Sequence, residues 1–417
     1  MHGHTKQLAK PMKKRMSLPL LMLIAALAIT SCKKDKSTDE NQGPQDRSCK
    51  GSAASKGTNH PKAAAYQVLL NKYVAQGLPG VVLLVRSPKE GLWMGAAGKA
   101  NLETGEPMSP CTLNYPQSIA KTFTATAMMM LVEEGKVNLD AKISDYLPQA
   151  TIAGIANADK ATVRQMLNMT SGIVSYEQDE DWIASRRANL SGTFTPEVML
   201  SYIRGDAADF EPGTSWRYST TNYLLAALII DQVTGRSHAD MFTNRIFKPL
   251  QLTDIYYKNE PGYPRPKGLV TGNYYLDGKG TYSSLGNLSG WQTASVSSFI
   301  GDDGLISSAY DLAQFVEALS KGRLVNAQSL AAMITWVDTG GPGVQYGLGL
   351  YKLALPSGGV AFGHSGDGLG AAAQMYYIPE QEATYVAFTN AGTFFPSPAR
   401  DLFSDNFPTD VLTILAR

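Results

Sequence analysis

Strand-like runs stand near both ends of this 417-residue chain, and the long stretch between them reads as helix and loop. Near the start, residues 80–86 and 92–98 are apolar runs of strand length joined by the turn Ser87-Pro-Lys-Glu-Gly91. Near the end, residues 347–352, 359–363, 371–378 and 383–389 repeat the pattern, separated by short connections. Two strands at one end of a chain make a poor sheet alone. One sheet assembled from both ends solves that, and the short connections favour antiparallel pairing. The expected fold class is α+β: an antiparallel sheet from both chain ends, flanked by helices, with a mostly helical insertion over about 114–290.

Helical patterns fill the middle. They run from His60 to Gln76, from Thr162 to a turn at Gly172, from Pro196 to Arg204, from Tyr223 to Gly235 and from about His238 to Phe247. Ser307 to Gly322, capped by Ser307 or Ser308, and Ser329 to Trp336 follow, and a closing helix starts at about Ala399. Residues 253–290 are rich in Tyr and Gly and show no period. The stretch after Tyr115-Pro-Gln-Ser118-Ile-Ala-Lys121 is the most regular helix. Its apolar residues Ile119, Phe123, Ala127, Met130 and Leu131 follow a period near 3.6, and Gly135 closes it.

The N-terminus explains the charge. Residues 1–31 carry Lys6, Lys10, Lys13, Lys14 and Arg15 and no acid, so without them 37 − 5 = 32 basic residues face 36 acidic ones, a net −4. That argues against nucleic acid as a partner. Lys13-Lys-Arg15 precedes an apolar run from Leu18 to Ile29, the layout of an export signal and short for a membrane-spanning helix. The run ends in Ile29-Thr-Ser-Cys32, which resembles a bacterial lipoprotein box and implies cleavage before Cys32 and lipidation of its thiol; an ordinary signal peptide with an incidental cysteine is the alternative. The expected organisation is a signal at 1–31, a polar flexible tether at 32–60 and a catalytic domain at 61–417, lipid-anchored in the cell envelope. Export brings an oxidising compartment, where Cys49 and Cys111 either pair or stay as two free thiols.

Ser118 and Lys121 are one helical turn apart near a helix N-terminus. There the helix field stabilises negative charge and disfavours a protonated Lys121, which suits a hydroxyl nucleophile beside an amine base. Two further stretches stand out. Tyr218-Ser219-Thr220 precedes an apolar helix, and a tyrosine there acts as a base where cations hold its phenolate. In Phe362-Gly-His364-Ser-Gly366-Asp-Gly-Leu-Gly370, four glycines surround one histidine, so backbone must approach something closely.

Taken in order, Ser118-Ile-Ala-Lys121, Tyr218-Ser-Thr220 and His364-Ser-Gly366 resemble the S-x-x-K, Y-x-N and K/H-x-G motifs of the serine β-lactamase/D-Ala-D-Ala carboxypeptidase superfamily, in its class C branch. Flanking stretches such as Lys136-Val-Asn-Leu-Asp140, Glu211-Pro-Gly213 and Gly304-Leu-Ile-Ser-Ser308 match too, and the similarity runs from about residue 62 to about 392. The resemblance implies that Ser118 is the acylated nucleophile and that Lys121 and Tyr218 share the proton transfers. It gives His364 an electrostatic role beside the Tyr218 phenolate and a substrate carboxylate, and places Thr220, Ser365 and Gly366 against substrate. The oxyanion hole would be the backbone N–H groups of Ser118 and Asp367. No cofactor or metal is implied.

Two positions depart from the pattern. Thr220 replaces an Asn that contacts the acyl-amide group of substrates, and a hydroxyl offers neither the NH₂ nor the carbonyl of that amide. Met169 replaces a common His and reads as packing. The expectation is a serine hydrolase of D-amino-acid peptides, esters or β-lactam-like substrates, carboxypeptidase- or esterase-like ahead of a true β-lactamase. The reading from another class is a non-catalytic penicillin-binding or sensory lipoprotein.

Overall fold

The computed structural model describes residues 59–189, 192, 194–258, 266–276, 286–295, 299–355 and 358–417. The signal at 1–31, Cys32 and Cys49 lie outside them. Helix α1 (Ala63–Ala75) leads into strands β1 (Gly80–Ser87) and β2 (Gly91–Gly98). After the insertion come β5 (Val337–Asp338), β6 (Val344–Tyr346), β7 (Tyr351–Ala354), β8 (Val360–Asp367), β9 (Ala372–Ile378) and β10 (Ala383–Thr389). They form one eight-stranded sheet in the order β2-β1-β10-β9-β8-β7-β6-β5. The two chain ends join where β1 pairs antiparallel with β10, Val81 opposite Thr389 and Arg86 opposite Thr384. This is the α+β sheet expected from the sequence.

Both faces of its centre are buried, as the unbroken apolar strands require. Along β1, Val82 and Leu84 face one core, while Val81, Leu83 and Val85 face the other. The second core is closed by α1 and the C-terminal helix Phe407–Ala416. The first lies between the sheet and the helices of the insertion. Its centre is α2 (Ala120–Glu133), entered through a 3₁₀ turn at Gln117–Ile119.

Helix α2 is not amphipathic. Every residue from Ala120 to Leu131 is buried. The polar ones are answered: Thr122 Oγ1 donates to the Gly349 carbonyl at 2.8 Å, Thr124 Oγ1 to that of Gly301 at 2.5 Å and Thr126 Oγ1 to that of Thr122 at 2.7 Å. Three hydroxyls thus tie the helix to itself and to two glycine loops. Helix α3 (Thr220–Thr234) packs beside it, buried from Thr220 to Ala227 and ended by Gly235 at φ 64°.

Three local readings differ from the sequence. Residues 347–350 form a turn between β6 and β7, because a side chain at Gly347 would strike the Met333 carbonyl and one at Gly349 the Ala125 methyl. The unperiodic stretch 253–290 contains β3 (Ile255–Tyr257), which pairs with β4 (Leu305–Ser307) in a second, two-stranded sheet. Ser307 therefore belongs to a strand, and Ser308 alone caps helix Ala309–Ser320, accepting from the Asp311 N–H.

Candidate active site

Ser118 sits in the 3₁₀ turn, and Lys121 is on the first turn of α2. The fully buried Lys121 Nζ donates to Ser118 Oγ at 3.0 Å and to the Asp302 carbonyl at 3.2 Å. It also lies 5.0 Å from the centre of the Tyr218 ring. The Tyr218 hydroxyl lies close enough to Ser118 and Lys121 for both to favour its ionised form. Nucleophile, amine and phenol therefore meet as the sequence order implied.

The expected depression of the Lys121 pKa is not what this environment produces. Burial lowers it, but the Tyr218, Asp302 and Glu177 oxygens outweigh burial and hold the ammonium above its ordinary range. Burial also raises the Tyr218 phenol, against the pull of Lys121 and Ser118. The resting pair is thus an ammonium beside a neutral phenol.

His364 lies inside β8, opposite Met375 of β9, and not in a loop between strands. It is fully buried in a tyrosine layer: Nε2 is 3.0 Å from Tyr346 Oη, and the ring is 4.9 Å from that of Tyr351. Nδ1 meets the Ser365 carbonyl at 2.5 Å, so it carries the proton, and Nε2 accepts from Tyr346. Burial, with Lys121 nearby, depresses its pKa to about 3. His364 is neutral at physiological pH, and the charged role expected for it is not available.

The glycines around it serve close approach, as expected. A Cβ at Gly363 would strike the Met375 carbonyl, one at Gly366 the Pro116 carbonyl, and one at Gly368 would come within 2.6 Å of Gln117 Cδ. Strand β8 lies directly on the turn that carries Ser118. Ser365 and Asp367 line the cavity in front of Ser118, whereas Gly366 is pressed against Pro116 and is not part of the lining. The Asp367 carboxylate turns aside to accept from Thr393 and Ser404.

Thr220 does not face the cavity either. It is buried, its N–H donates to Ser175 Oγ at 3.2 Å, and its Oγ1 donates to Glu177 Oε2 at 2.5 Å. Glu177 does line the cavity, with Asp302 and Asp303. These three acids escaped the sequence reading. Burial raises all three pKa values, with Lys121 opposing, and Asp303 reaches about 7. Asp302 accepts from the Tyr176 hydroxyl through Oδ2 at 3.2 Å, and its Oδ1 is buried without a partner. Packing fixes the patch. Loop 174–177 is tied to α3 through Thr221, whose Oγ1 accepts from the Tyr176 N–H at 3.1 Å. The Gly301 N–H donates to Tyr257 Oη at 2.9 Å, and Tyr257 Oη in turn meets His238 Nε2 at 2.8 Å.

Met169 does more than pack. It sits at φ 65°, and its sulfur accepts from the Ser219 N–H and the Asn222 Nδ2, each at 3.4 Å, which steadies the segment carrying Tyr218. Trp182, Trp291 and Phe299 form an aromatic wall beside the acids, and the cavity measures about 320 Å³. Among the described residues, no cluster of three or more His, Cys, Asp or Glu is arranged to hold a metal ion. Cys111 is disulfide-bonded to a partner outside the described residues.

A serine bonded by a buried lysine beside a tyrosine, at the seam between a sheet and a helical layer, is an arrangement that suits nucleophilic catalysis by a serine hydrolase. Residues 66–405 match the family model described as Beta-lactamase. The chain belongs to the Beta-lactamase family. It is 25% identical to the Bacillus subtilis protein PbpX over 363 residues, 83% of this chain and 84% of that protein. A D-stereospecific amidohydrolase from Streptomyces sp. is 32% identical, with a TM-score of 0.69 over 79% of this chain and 94% of that one. The D-amino acid amidase from Ochrobactrum anthropi SV3, complexed with D-phenylalanine, is 25% identical, with a TM-score of 0.72 over 85% of this chain and 98% of that one.

Proposed function

We propose that this serine hydrolase cleaves amide and peptide bonds whose acyl residue carries a free α-ammonium group, with D-configured residues preferred. One observation carries the reading: Glu177, oriented by Thr220, joins Asp302 and Asp303 in a carboxyl patch within the Ser118 cavity. Three carboxyls in one buried place cannot all ionise, although Lys121 lies among them and Arg186 also lines the cavity. An arriving ammonium adds a cation to the patch, and the Asp302 Oδ1 without a partner is an acceptor for it. The aromatic wall suits an apolar or aromatic side chain. The D preference is supported by the names of the two similar hydrolases. An N-acylated amine, as in a penicillin side chain, brings no charge to the patch, which ranks the β-lactamase reading lower.

The mechanism follows from the proton inventory. The substrate ammonium pairs with the acids that keep Lys121 protonated, so the Lys121–Tyr218 pair releases a proton to water and becomes a base. Ser118 Oγ attacks the acyl carbon and passes its proton to the pair. The oxyanion is assigned to the Ser118 and Asp367 N–H groups, each worth about 3 kcal/mol in such sites. Collapse expels the amine, which takes the proton back. Water then attacks the Ser118 ester, giving its proton to the pair; the pair passes it to Ser118 Oγ as the ester C–O bond breaks, and the free acid leaves.

Initial rates on D- and L-aminoacyl p-nitroanilides, their N-acetyl forms and nitrocefin test the reading. The free D-amine is expected to lead by at least tenfold. Equal rates on the N-acetyl form, or rapid nitrocefin turnover, would overturn it.

We further propose export and lipid anchoring through Cys32, supported by the basic and apolar run before it and by the disulfide at Cys111. Metabolic labelling with a fatty acid, lost in Cys32→Ser, checks this.

A further inference from the structure

The residue before the nucleophile is unusual. Gln117 has φ 54°, a left-handed conformation that glycine adopts freely and a side chain resists. A strained non-glycine residue beside a reacting atom calls for a reason. Gln117 is 4% exposed, and its Nε2 is buried without a partner. Its side chain lies along the end of β8: a Cβ at Gly366 would come within 2.7 Å of Gln117 Cβ, and one at Gly368 within 2.6 Å of Gln117 Nε2. Those two glycines flank Asp367. Gln117 also lines the cavity that holds Ser118. The unpartnered amide is thus held by packing against the end of β8, in a side chain that lines the site.

We propose that Gln117 is a substrate-contacting residue whose Nε2 donates to a carbonyl or carboxylate oxygen on the leaving group, so that the site discriminates in favour of peptides over primary amides. The direction rests on the functional reading above. With the ammonium at Glu177 and the acyl side chain at the aromatic wall, the leaving group extends from the scissile carbon toward Gln117 and Gly368. A bare ammonia leaving group has no oxygen to meet the donor. An amino acid leaving group does, and a buried donor left unmet is penalised.

The test compares one acyl group on two leaving groups, ammonia and glycine, in wild type, Gln117→Met and Gln117→Gly. Methionine keeps the length and removes the donor. Glycine removes the donor and relieves the positive φ, so its Tm is expected not to fall below wild type, which separates loss of contact from loss of fold. Both variants are expected to lose about tenfold more kcat/KM on the dipeptide than on the primary amide, mainly through KM. The same ratio is readable without turnover, as protection of Ser118 from a fluorophosphonate by each ligand. Equal losses on the two substrates, or no loss on either, overturn the proposal. The pair is run with free-amino and N-acetyl acyl groups. If wild type favours the N-acetyl pair, the functional reading fails, and the Gln117 ratio is still read on that pair.

Discussion

Thr220 Oγ1 lies 2.5 Å from Glu177 Oε2, so the third residue of the middle motif faces a carboxylate and not the substrate. A single hydroxyl donates once, and here that donation goes to Glu177. The motif position has become the support of an acidic group one layer closer to the cavity.

Removing that support should change specificity more than chemistry. Thr220→Val keeps the shape and deletes the donor, leaving Glu177 free to rotate. The ratio of kcat/KM for free-amino over N-acetyl substrates is expected to fall about tenfold, and Glu177→Gln to lower it further, since the charge itself is then lost. Rates on matched substrate pairs check this, and an unchanged ratio in Glu177→Gln would sink the ammonium subsite.

Lys121 is held charged by Tyr218, Asp302 and Glu177 until substrate arrives. Lys121→Arg retains a cation and cannot give up its proton. It is expected to lower the rate of Ser118 acylation by roughly 10³-fold or more, comparable with Lys121→Ala, as for members of a catalytic unit. Intact mass after timed exposure to a substrate ester reads the acyl adduct. An arginine variant that acylates normally would reduce Lys121 to a fixed charge.

The nucleophile pair was legible because its members are three residues apart, and Tyr218 because it opens the next long helix. The acids were not legible. Glu177 depends on a loop tied to Thr221, and Asp302 on a glycine loop tied to Thr124 and Tyr257. Single acids in loops look like solvated charge until such distant contacts are known. The close approach at Gly366 and Gly368 was legible in the glycines themselves. The sheet drawn from both chain ends was readable from the ordering of apolar runs. The all-round burial of α2 was hidden, because Thr122, Thr124 and Thr126 look solvent-facing until their carbonyl partners appear.

The loop carrying Asp302 gives a stability test. His238 is buried between Asp231, 2.9 Å from Nδ1, and Tyr257 Oη, 2.8 Å from Nε2, and Tyr257 receives the Gly301 N–H. His238→Phe fills the space but removes the ring's bonds to both partners, although Asp231 keeps the backbone N–H of residue 238 and Tyr257 that of Gly301. A loss of about 1–3 kcal/mol in urea unfolding is expected, chiefly from the buried bond between the ring and the Tyr257 hydroxyl. If Asp302 is positioned through this relay, KM for free-amino substrates rises while N-acetyl substrates change less. A stable variant with normal KM would show that the relay does not hold the loop.

His364 supplies the pH test. Its pKa falls from 6.5 to about 3 in the folded protein, first through burial and then through Lys121. A depressed folded pKa means that the unfolded chain binds the proton first. The stabilising contribution is therefore full above about pH 6.5 and is lost as pH falls toward 3, at up to about 1.4 kcal/mol per pH unit. Burial of Asp303 and Asp311, with pKa values near 7 and 6, works in the opposite direction, so the comparison must be with a variant and not with a flat baseline. His364→Gln replaces the ring with a neutral group able to donate and accept. Between pH 6 and 4 the wild type should lose stability faster than His364→Gln, by close to one proton per molecule in the slope of unfolding free energy. Were His364 a cation in the folded site, as its motif position implied, the two curves would run parallel through that window.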